Sequence, residues 1–90
     1  MSLLVTFGGV SMIDSKQIRA ARASLGWTID KLASEAGLNR RTVIRIEDKG
    51  SEVSPSQKTL QAIQNALEIA GIEFIKTDDG GRGVIFRDPK

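Results

Sequence analysis

The chain has 90 residues, which is enough for one small domain with a single modest core and too few for a core plus an elaborate active-site cleft. Its 13 Lys and Arg side chains against 11 Asp and Glu side chains give a formal net charge of +2, so net charge alone argues weakly for a polyanionic partner. The sequence contains no cysteine and no histidine, which excludes disulfides, thiol nucleophiles, the usual zinc sites and the commonest general base.

Residues 1–12 are predicted to form an N-terminal extension. Met12 is typical of a natural start residue, so two interpretations of residues 1–11 stay open: an upstream extension, or in part a cloning remnant such as Met1-Ser2-Leu3. The β-prone run LLVTF at residues 3–7 is a candidate third strand for the sheet predicted below. The apolar start is too short to span a bilayer and lacks the features of a signal peptide, so we expect a soluble, cytoplasmic protein with no membrane partner.

The first helix is predicted to begin near Ser15. Asp14 is a candidate N-cap with Gln17 three residues later, and Ile13 and Ile18 can form a hydrophobic staple. Gly26 ends this helix. The residues predicted to form its inward face recur at helical spacing: Ile18, Ala21, Arg22 and Leu25.

The second and third helices are separated by a very short connection. Thr28 can cap the second helix, Gly37 can end it in a left-handed conformation, and Asn39 is a strong N-cap for the third helix, from about residue 40 to 48. The positions predicted to face inward are Leu32, Ala33, Ala36, Val43 and Ile46. Trp27 lies between the first two helices and is predicted to pack in the core rather than to stack on a base.

The fourth helix is predicted to start within the run SPSQ, with Ser54 as the cap, Pro55 at the first helical position and Gln57 completing a capping box. Gly71 ends this helix. Its predicted buried stripe consists of Leu60, Ile63, Leu67 and Ala70.

A β-hairpin is predicted at the C-terminal end, because IEFIK and GVIFR have the period of strands and flank TDDGGR. Turn chemistry explains TDDGGR better than a metal or phosphate site does. Alternation places one apolar set on one face (Ile72, Phe74, Val84, Phe86) and another on the opposite face (Ile75, Ile85). A lone hairpin is marginal in water, so this one must be covered by its own helices or by another subunit.

The predicted third helix carries three arginines, Arg40, Arg41 and Arg45. With Val43 and Ile46 facing the core, Arg41 and Arg45, four residues apart, project from the same outer face. An α-helix fits the major groove, and the planar fork of arginine matches the O6 and N7 atoms of guanine. The N-termini of the second and third helices, marked by Thr28 and Asn39, offer backbone N–H groups suited to phosphate oxygens.

The stretch LGWTIDKLASEAGLNRRTVIRIEDKG, at residues 25–50, resembles the helix-turn-helix of the Cro and phage-repressor family, also called lambda-repressor-like or XRE. The resemblance covers roughly residues 14–70 and depends on several pairs together: Leu25-Gly26, Leu32-Ala33, Ala36-Gly37, Thr42-Val43 and Ile46-Glu47. It implies a mainly α fold, a four-helix lambda-repressor-like domain over residues 13–71. The C-terminal hairpin and tail, residues 72–90, lie outside that shared core and are a candidate dimerisation element.

The resemblance also implies roles for individual residues. Arg40, Arg41 and Arg45 are expected to contact bases. Thr42 is expected to contact phosphate or to lean its methyl group inward, and Lys49 is assigned to phosphate, with a solvated side chain as the alternative. Family members pair the position of Glu47 with an arginine on the first helix, here Arg22, in a structural ion pair. The family commonly has a glutamine after the cap of the second helix, whereas this chain has Ile29.

These expectations favour a sequence-specific DNA-binding transcriptional regulator, acting as a dimeric repressor that reads the major groove with residues 40–48. The alternative is an antitoxin-like protein that neutralises a partner protein and autoregulates its operon. The carboxylates are scattered and no nucleophile has a base beside it, so we expect no enzyme activity, cofactor or metal. The expected partners are double-stranded DNA, a second copy of the chain and, in the alternative, a toxin.

Overall fold

Within the residues that the structure describes, the fold consists of four helices and a three-stranded antiparallel sheet. A computed structural model describes the backbone of residues 4–6, together with residues 13–48 and 56–87. The elements in chain order are β1 (Leu4–Thr6), α1 (Ser15–Leu25), α2 (Ile29–Ala36), α3 (Arg40–Glu47), α4 (Gln57–Ile69), β2 (Ile72–Thr77) and β3 (Arg82–Phe86). The predicted order of helices and hairpin is confirmed, and the N-terminal run does contain a third strand.

The N-cap of α1 is Asp14, as predicted, and Gln17 has a second role that the local sequence did not indicate. The Asp14 carboxylate accepts from the Gln17 backbone N–H at 2.9 Å, and the Gln17 side-chain oxygen accepts from the Asp14 N–H at 3.0 Å. The Gln17 side-chain amide also donates to the carbonyl oxygens of Ile75 at 3.3 Å and Gly83 at 3.0 Å. Gln17 therefore caps α1 and attaches it to the hairpin.

The prediction for the start of α4 is wrong by two residues. The helix begins at Gln57, and its N-cap is Ser56, whose hydroxyl accepts from the Thr59 N–H at 3.1 Å. Gln57 is thus the first helical residue and cannot close a capping box from the third position. Ser54 and Pro55 lie outside the described residues. Ser56 offers the same hydroxyl acceptor as Ser54, and the sequence alone did not separate the two.

The sheet has β2 at its centre, flanked by β1 and β3. The register places Val5 opposite Lys76 on one side of β2, and Phe74 opposite Val84 on the other. Ile72 and Phe74 are 3% and 1% exposed, respectively, and α1 packs against β3 while α4 packs against β2. One face of the hairpin is therefore covered by the chain's own helices.

The core joins all four helices to that face of the sheet. Its buried members are Ile13, Ile18, Ala21, Leu32, Ala33, Val43, Ile63, Leu67, Ile72 and Phe74. Trp27, Leu25, Ala36, Ile46 and Leu60 are partly buried and pack against this cluster, in agreement with the predicted inward positions. Phe86 differs from the prediction for its face, because it lies at the end of β3 and remains 45% exposed.

Gly71 allows α4 to pass directly into β2. Its φ angle is 110°, and its carbonyl oxygen accepts from the Arg87 N–H at 2.7 Å. A Cβ atom at this position would collide with the Arg87 carbonyl oxygen, so the close approach requires glycine. The turn fixes the hairpin against the end of α4.

In the parts of the chain that the structure describes, none of the helices has the length and apolar composition needed to cross a membrane.

Candidate nucleic-acid interface

α2 and α3 are joined by three residues, 37–39, that hold the two helices close together. Gly37 has a φ angle of 70°, and its N–H donates to the Ser34 carbonyl at 3.2 Å. The Leu38 N–H donates to the Ala33 carbonyl at 2.9 Å, and the Leu38 side chain packs against the core. This is a left-handed helix end followed by an apolar anchor. The connection is as short as the sequence predicted, and α3 is packed against α2.

The inner side of α3 is fixed by packing and by an ion pair. Val43 is fully buried, and Glu47 is 7% exposed. The Arg22 guanidinium donates from Nε and Nη2 to the two carboxylate oxygens of Glu47, each at 2.9 Å, and from Nη1 to the Trp27 carbonyl at 3.0 Å. The hydrogen bond to Glu47 raises the pKa of the Arg22 guanidinium, while partial burial acts in the opposite direction. The predicted pair is present and joins α1, α3 and the α1–α2 connection.

The outer side of α3 presents the three arginines to solvent. Arg41 and Arg45 are exposed, and Ile44, which lies on the same side, is 40% exposed. Arg40 also points outward, and its Nε lies 3.0 Å from an Asp30 carboxylate oxygen on α2, with side-chain exposures of 65% and 74% for the two partners. The fold thus brings the predicted base-contacting residues together on one exposed helical face.

Two features of this face were missed from the sequence. The Asp30–Arg40 pair joins two helices, so sequence spacing gave no signal for it. The exposure of Ile44 could have been predicted from helical spacing. Val43 and Ile46 face inward, and Ile44 is three residues from the outward-facing Arg41, so it lies on the outward side of the helix.

Three of the four predicted phosphate-contacting residues, Thr28, Asn39 and Thr42, lie at the starts of α2 and α3. Thr28 caps α2 and accepts from the Lys31 N–H at 3.0 Å, while Asn39 caps α3 and accepts from the Thr42 N–H at 3.2 Å. Thr42 is half-buried in the first turn of α3. Lys49 lies outside the described residues. Both helix starts leave backbone N–H groups in their first turns that no helical carbonyl can satisfy.

At the start of α2, Ile29 and Trp27 are used for packing. Ile29, which occupies the position where the family commonly has glutamine, packs against the core instead of presenting a polar group. The Lys31 ammonium lies 5.7 Å from the centre of the Trp27 ring and 3.2 Å from a Glu35 carboxylate oxygen. Within the first turn of α2, the groups suited to phosphate are therefore Thr28, Lys31 and the backbone N–H groups.

Among the described residues, no group of three or more acidic side chains is close enough to hold a metal ion. The surface assembled by α2 and α3 presents helix N-termini, hydroxyls and arginines. These groups can bind phosphate and contact base edges.

Comparison with known proteins agrees with this geometry. A family model described as helix-turn-helix matches residues 18–74, which is more than half of the chain and runs from α1 into β2. The search of curated proteins found no match. The chain therefore belongs to the lambda-repressor-like, or XRE, helix-turn-helix family of DNA-binding transcription regulators.

Proposed function

We propose that this regulator is a sequence-specific, dimeric repressor that places α3 in the major groove of its operator. The observation that carries the proposal is the division of α3 into a fixed inner side, held by Val43 and Glu47, and an outer side that presents arginines. A rigid inner side limits how far the arginine side chains can shift, and such positioning is what bidentate contact with guanine requires.

Arg41 and Arg45 are assigned to guanine edges, because both are exposed and lie one helical turn apart. Arg40 is also assigned to a base, although in the free protein it pairs with Asp30. Both partners are mostly exposed, and pairs of this kind contribute only about 0.2–1 kcal/mol, so DNA can compete for the Arg40 guanidinium. Release of Asp30 would place a carboxylate near the phosphates and oppose binding to any sequence, and a guanine that binds Arg40 would offset this cost.

Thr28, Asn39 and Thr42 are assigned to phosphate, with Lys49 as a further candidate. The first turns of α2 and α3 carry unpaired backbone N–H groups and the positive ends of helix dipoles, both of which favour phosphate oxygens. Contacts of this kind hold the protein in register on the duplex, while the arginines supply sequence preference.

A dimer is proposed because one reading helix covers only a few base pairs. Two copies related by a two-fold axis would read half-sites about 34 Å apart, or one turn of DNA. The outer face of the hairpin supports this role, since Ile75 and Ile85 lie there, partly exposed, opposite the face that the helices cover. We assign the dimer interface to this face and to β3.

The test is selection of bound sequences from a random DNA pool by the full chain. We expect an inverted repeat whose half-sites contain guanine and whose centres are about 10–10.5 base pairs apart. Recovery of a single, unrepeated site would contradict the dimeric mode of reading. Binding without any recovered motif would contradict sequence-specific regulation.

The antitoxin-like alternative draws support from apolar side chains outside α3. Ile69, at the end of α4, is 85% exposed, and Phe86 is 45% exposed, so both are accessible to another protein. Co-expression with the product of a neighbouring gene would test this function. The antitoxin-like function would be favoured by a stable complex that relieves toxicity, if Ile69→Lys or Phe86→Lys abolished that complex.

A further inference from the structure

The exposed isoleucine on the reading helix is not explained by the fold. Among the described residues, three large apolar side chains are exposed, and Ile44 is the one on α3. It lies outside both the buried core cluster and the partly buried residues that pack on it. The packing of α3 is supplied by Val43 and Ile46, and a β-branched residue is a weaker helix former than most. Ile44 is thus not part of the core packing that holds α3.

The position of Ile44 relative to the arginines gives it a chemical context. Successive helical residues are about 100° apart, so Ile44 projects about 40° from Arg40 and about 60° from Arg41 around the axis. Arg45 is its immediate neighbour in the chain and is also exposed. If the arginines contact base edges, Ile44 must lie in the same groove.

The major groove offers one methyl group on the base edges of unmodified DNA, the C5-methyl of thymine, and most of the remaining groups there are hydrogen-bond donors and acceptors. An isoleucine inserted among these donors and acceptors would remove their water without replacing it, which is unfavourable. Against a thymine methyl, the same side chain buries apolar surface on both partners.

We propose that Ile44 selects thymine by contact with its C5-methyl group. This inference rests on the proposed function, and it adds a second kind of base to the site. Ile44 is about 4.5 Å along the helix axis from Arg41, while successive base pairs are about 3.4 Å apart. The thymine therefore lies within about two base pairs of the guanine assigned to Arg41.

Replacement of thymine by uracil tests this contact, because it deletes the methyl group and leaves Watson–Crick pairing unchanged. The motif from the selection identifies the thymines, and uracil is then placed at each one in a single half-site. For the wild-type chain we expect one such position at which affinity falls about fourfold, the factor that corresponds to about 0.8 kcal/mol for one buried methyl group.

The matched variants are Ile44→Ala and Arg41→Ala, each measured on the thymine and the uracil duplexes. Ile44→Ala should bind both duplexes equally, whereas Arg41→Ala should bind more weakly overall and keep the fourfold preference for thymine. Thermal unfolding of Ile44→Ala checks that the fold is retained, as the 40% exposure of this residue predicts.

The outcomes separate this inference from the function on which it rests. Sequence-specific binding with no uracil-sensitive position would overturn the role of Ile44 and leave the function standing. An unchanged uracil effect in Ile44→Ala would also overturn it, because the methyl group would then act through DNA shape. Failure of the wild-type chain to select any motif would overturn both.

Discussion

Two charges that are largely removed from water set the position of α3. Glu47 is 7% exposed, and its carboxylate is held by two donors of Arg22, whose side chain is 23% exposed. A charge left in such a place without its partner is costly, whereas the net stabilisation by the pair is small because both groups lose hydration. The pair therefore fixes geometry more than it stabilises the fold.

Removing one partner of this pair should cost more than removing both. We expect Arg22→Met to lower the free energy of unfolding by about 3 kcal/mol, at the lower end of the range for buried pairs because Arg22 is partly exposed. The double variant Arg22→Met/Glu47→Met should recover a substantial part of that loss, because no unpaired carboxylate remains. Urea denaturation followed by circular dichroism measures both values.

Glu35→Gln is the control for this comparison, since Glu35 belongs to an exposed pair with Lys31 on α2. Its effect should be below about 0.5 kcal/mol. A double variant whose loss of stability equals the sum of the losses in Arg22→Met and Glu47→Met would show that Arg22 and Glu47 do not act as a pair.

Helix ends were predictable where their signals are local. The side chains of Asp14, Thr28 and Asn39 each accept from the backbone N–H three residues later. A cap residue and the helical turn that it caps are adjacent in sequence, so a short stretch is enough to predict the helix start. The start of α4 was misplaced because two serines, 54 and 56, carry the same signal and local chemistry does not rank them. Helical spacing also gave the outward direction of Arg41.

Contacts between distant elements were not predictable in the same way. The Gln17 amide reaches the carbonyls of Ile75 and Gly83, which are 58 and 66 residues further along the chain. The partner of Arg40 on α2 is likewise set by how two helices pack. A β-prone run identified β1, but its pairing with β2 depends on the path of the whole chain.

The link between α1 and the hairpin should be sensitive to the loss of a donor. In Gln17→Glu, the side chain keeps an acceptor for the Asp14 N–H but cannot donate to the two hairpin carbonyls, and it places a carboxylate against them. Because Gln17 is only 3% exposed, we expect the free energy of unfolding to fall by about 2 kcal/mol or more. Denaturant unfolding gives this value.

Asn65→Asp makes the corresponding amide-to-carboxylate change at an exposed residue inside α4, where the side-chain oxygen still accepts from the Gln61 amide, and should alter stability by less than about 0.5 kcal/mol. Equal effects of the two substitutions would mean that the bonds from Gln17 to the hairpin contribute nothing.

The whole molecule combines a widely shared DNA-binding unit with a sheet that the family model leaves largely unmatched. The matched region ends at residue 74, within β2, so β3 lies beyond it and β1 precedes it. Ile72 and Phe74 nevertheless belong to the core, which makes the hairpin part of the folded unit rather than a removable tail. Deleting residues 72–90 would therefore unfold the domain, and point substitutions are needed to test the sheet as an interface.

Charge placed on the outer face of the sheet should dissociate the proposed dimer. We expect Ile85→Lys to raise the dimer dissociation constant by about tenfold or more, because a lysine would have to lose its hydration in the interface. Sedimentation equilibrium over a range of protein concentrations measures this constant.

The matched control is Ile69→Lys, the same substitution at an isoleucine of α4 that is 85% exposed. It should leave the constant unchanged. If Ile69→Lys raised the dissociation constant and Ile85→Lys did not, the interface would lie at the end of α4. A wild-type chain that stays monomeric at high concentration would contradict the dimer itself.

We propose that the outer face of α3 reads bases. The most direct measurement compares the base preferences of wild type, Arg41→Ala and the control Arg19→Ala, an exposed arginine on α1, at every position of the selected operator. We expect Arg41→Ala to lose about 1–3 kcal/mol of discrimination at one guanine per half-site, with Arg19→Ala leaving all preferences intact. Identical preferences for wild type and for alanine variants of Arg40, Arg41 and Arg45 would contradict the assignment.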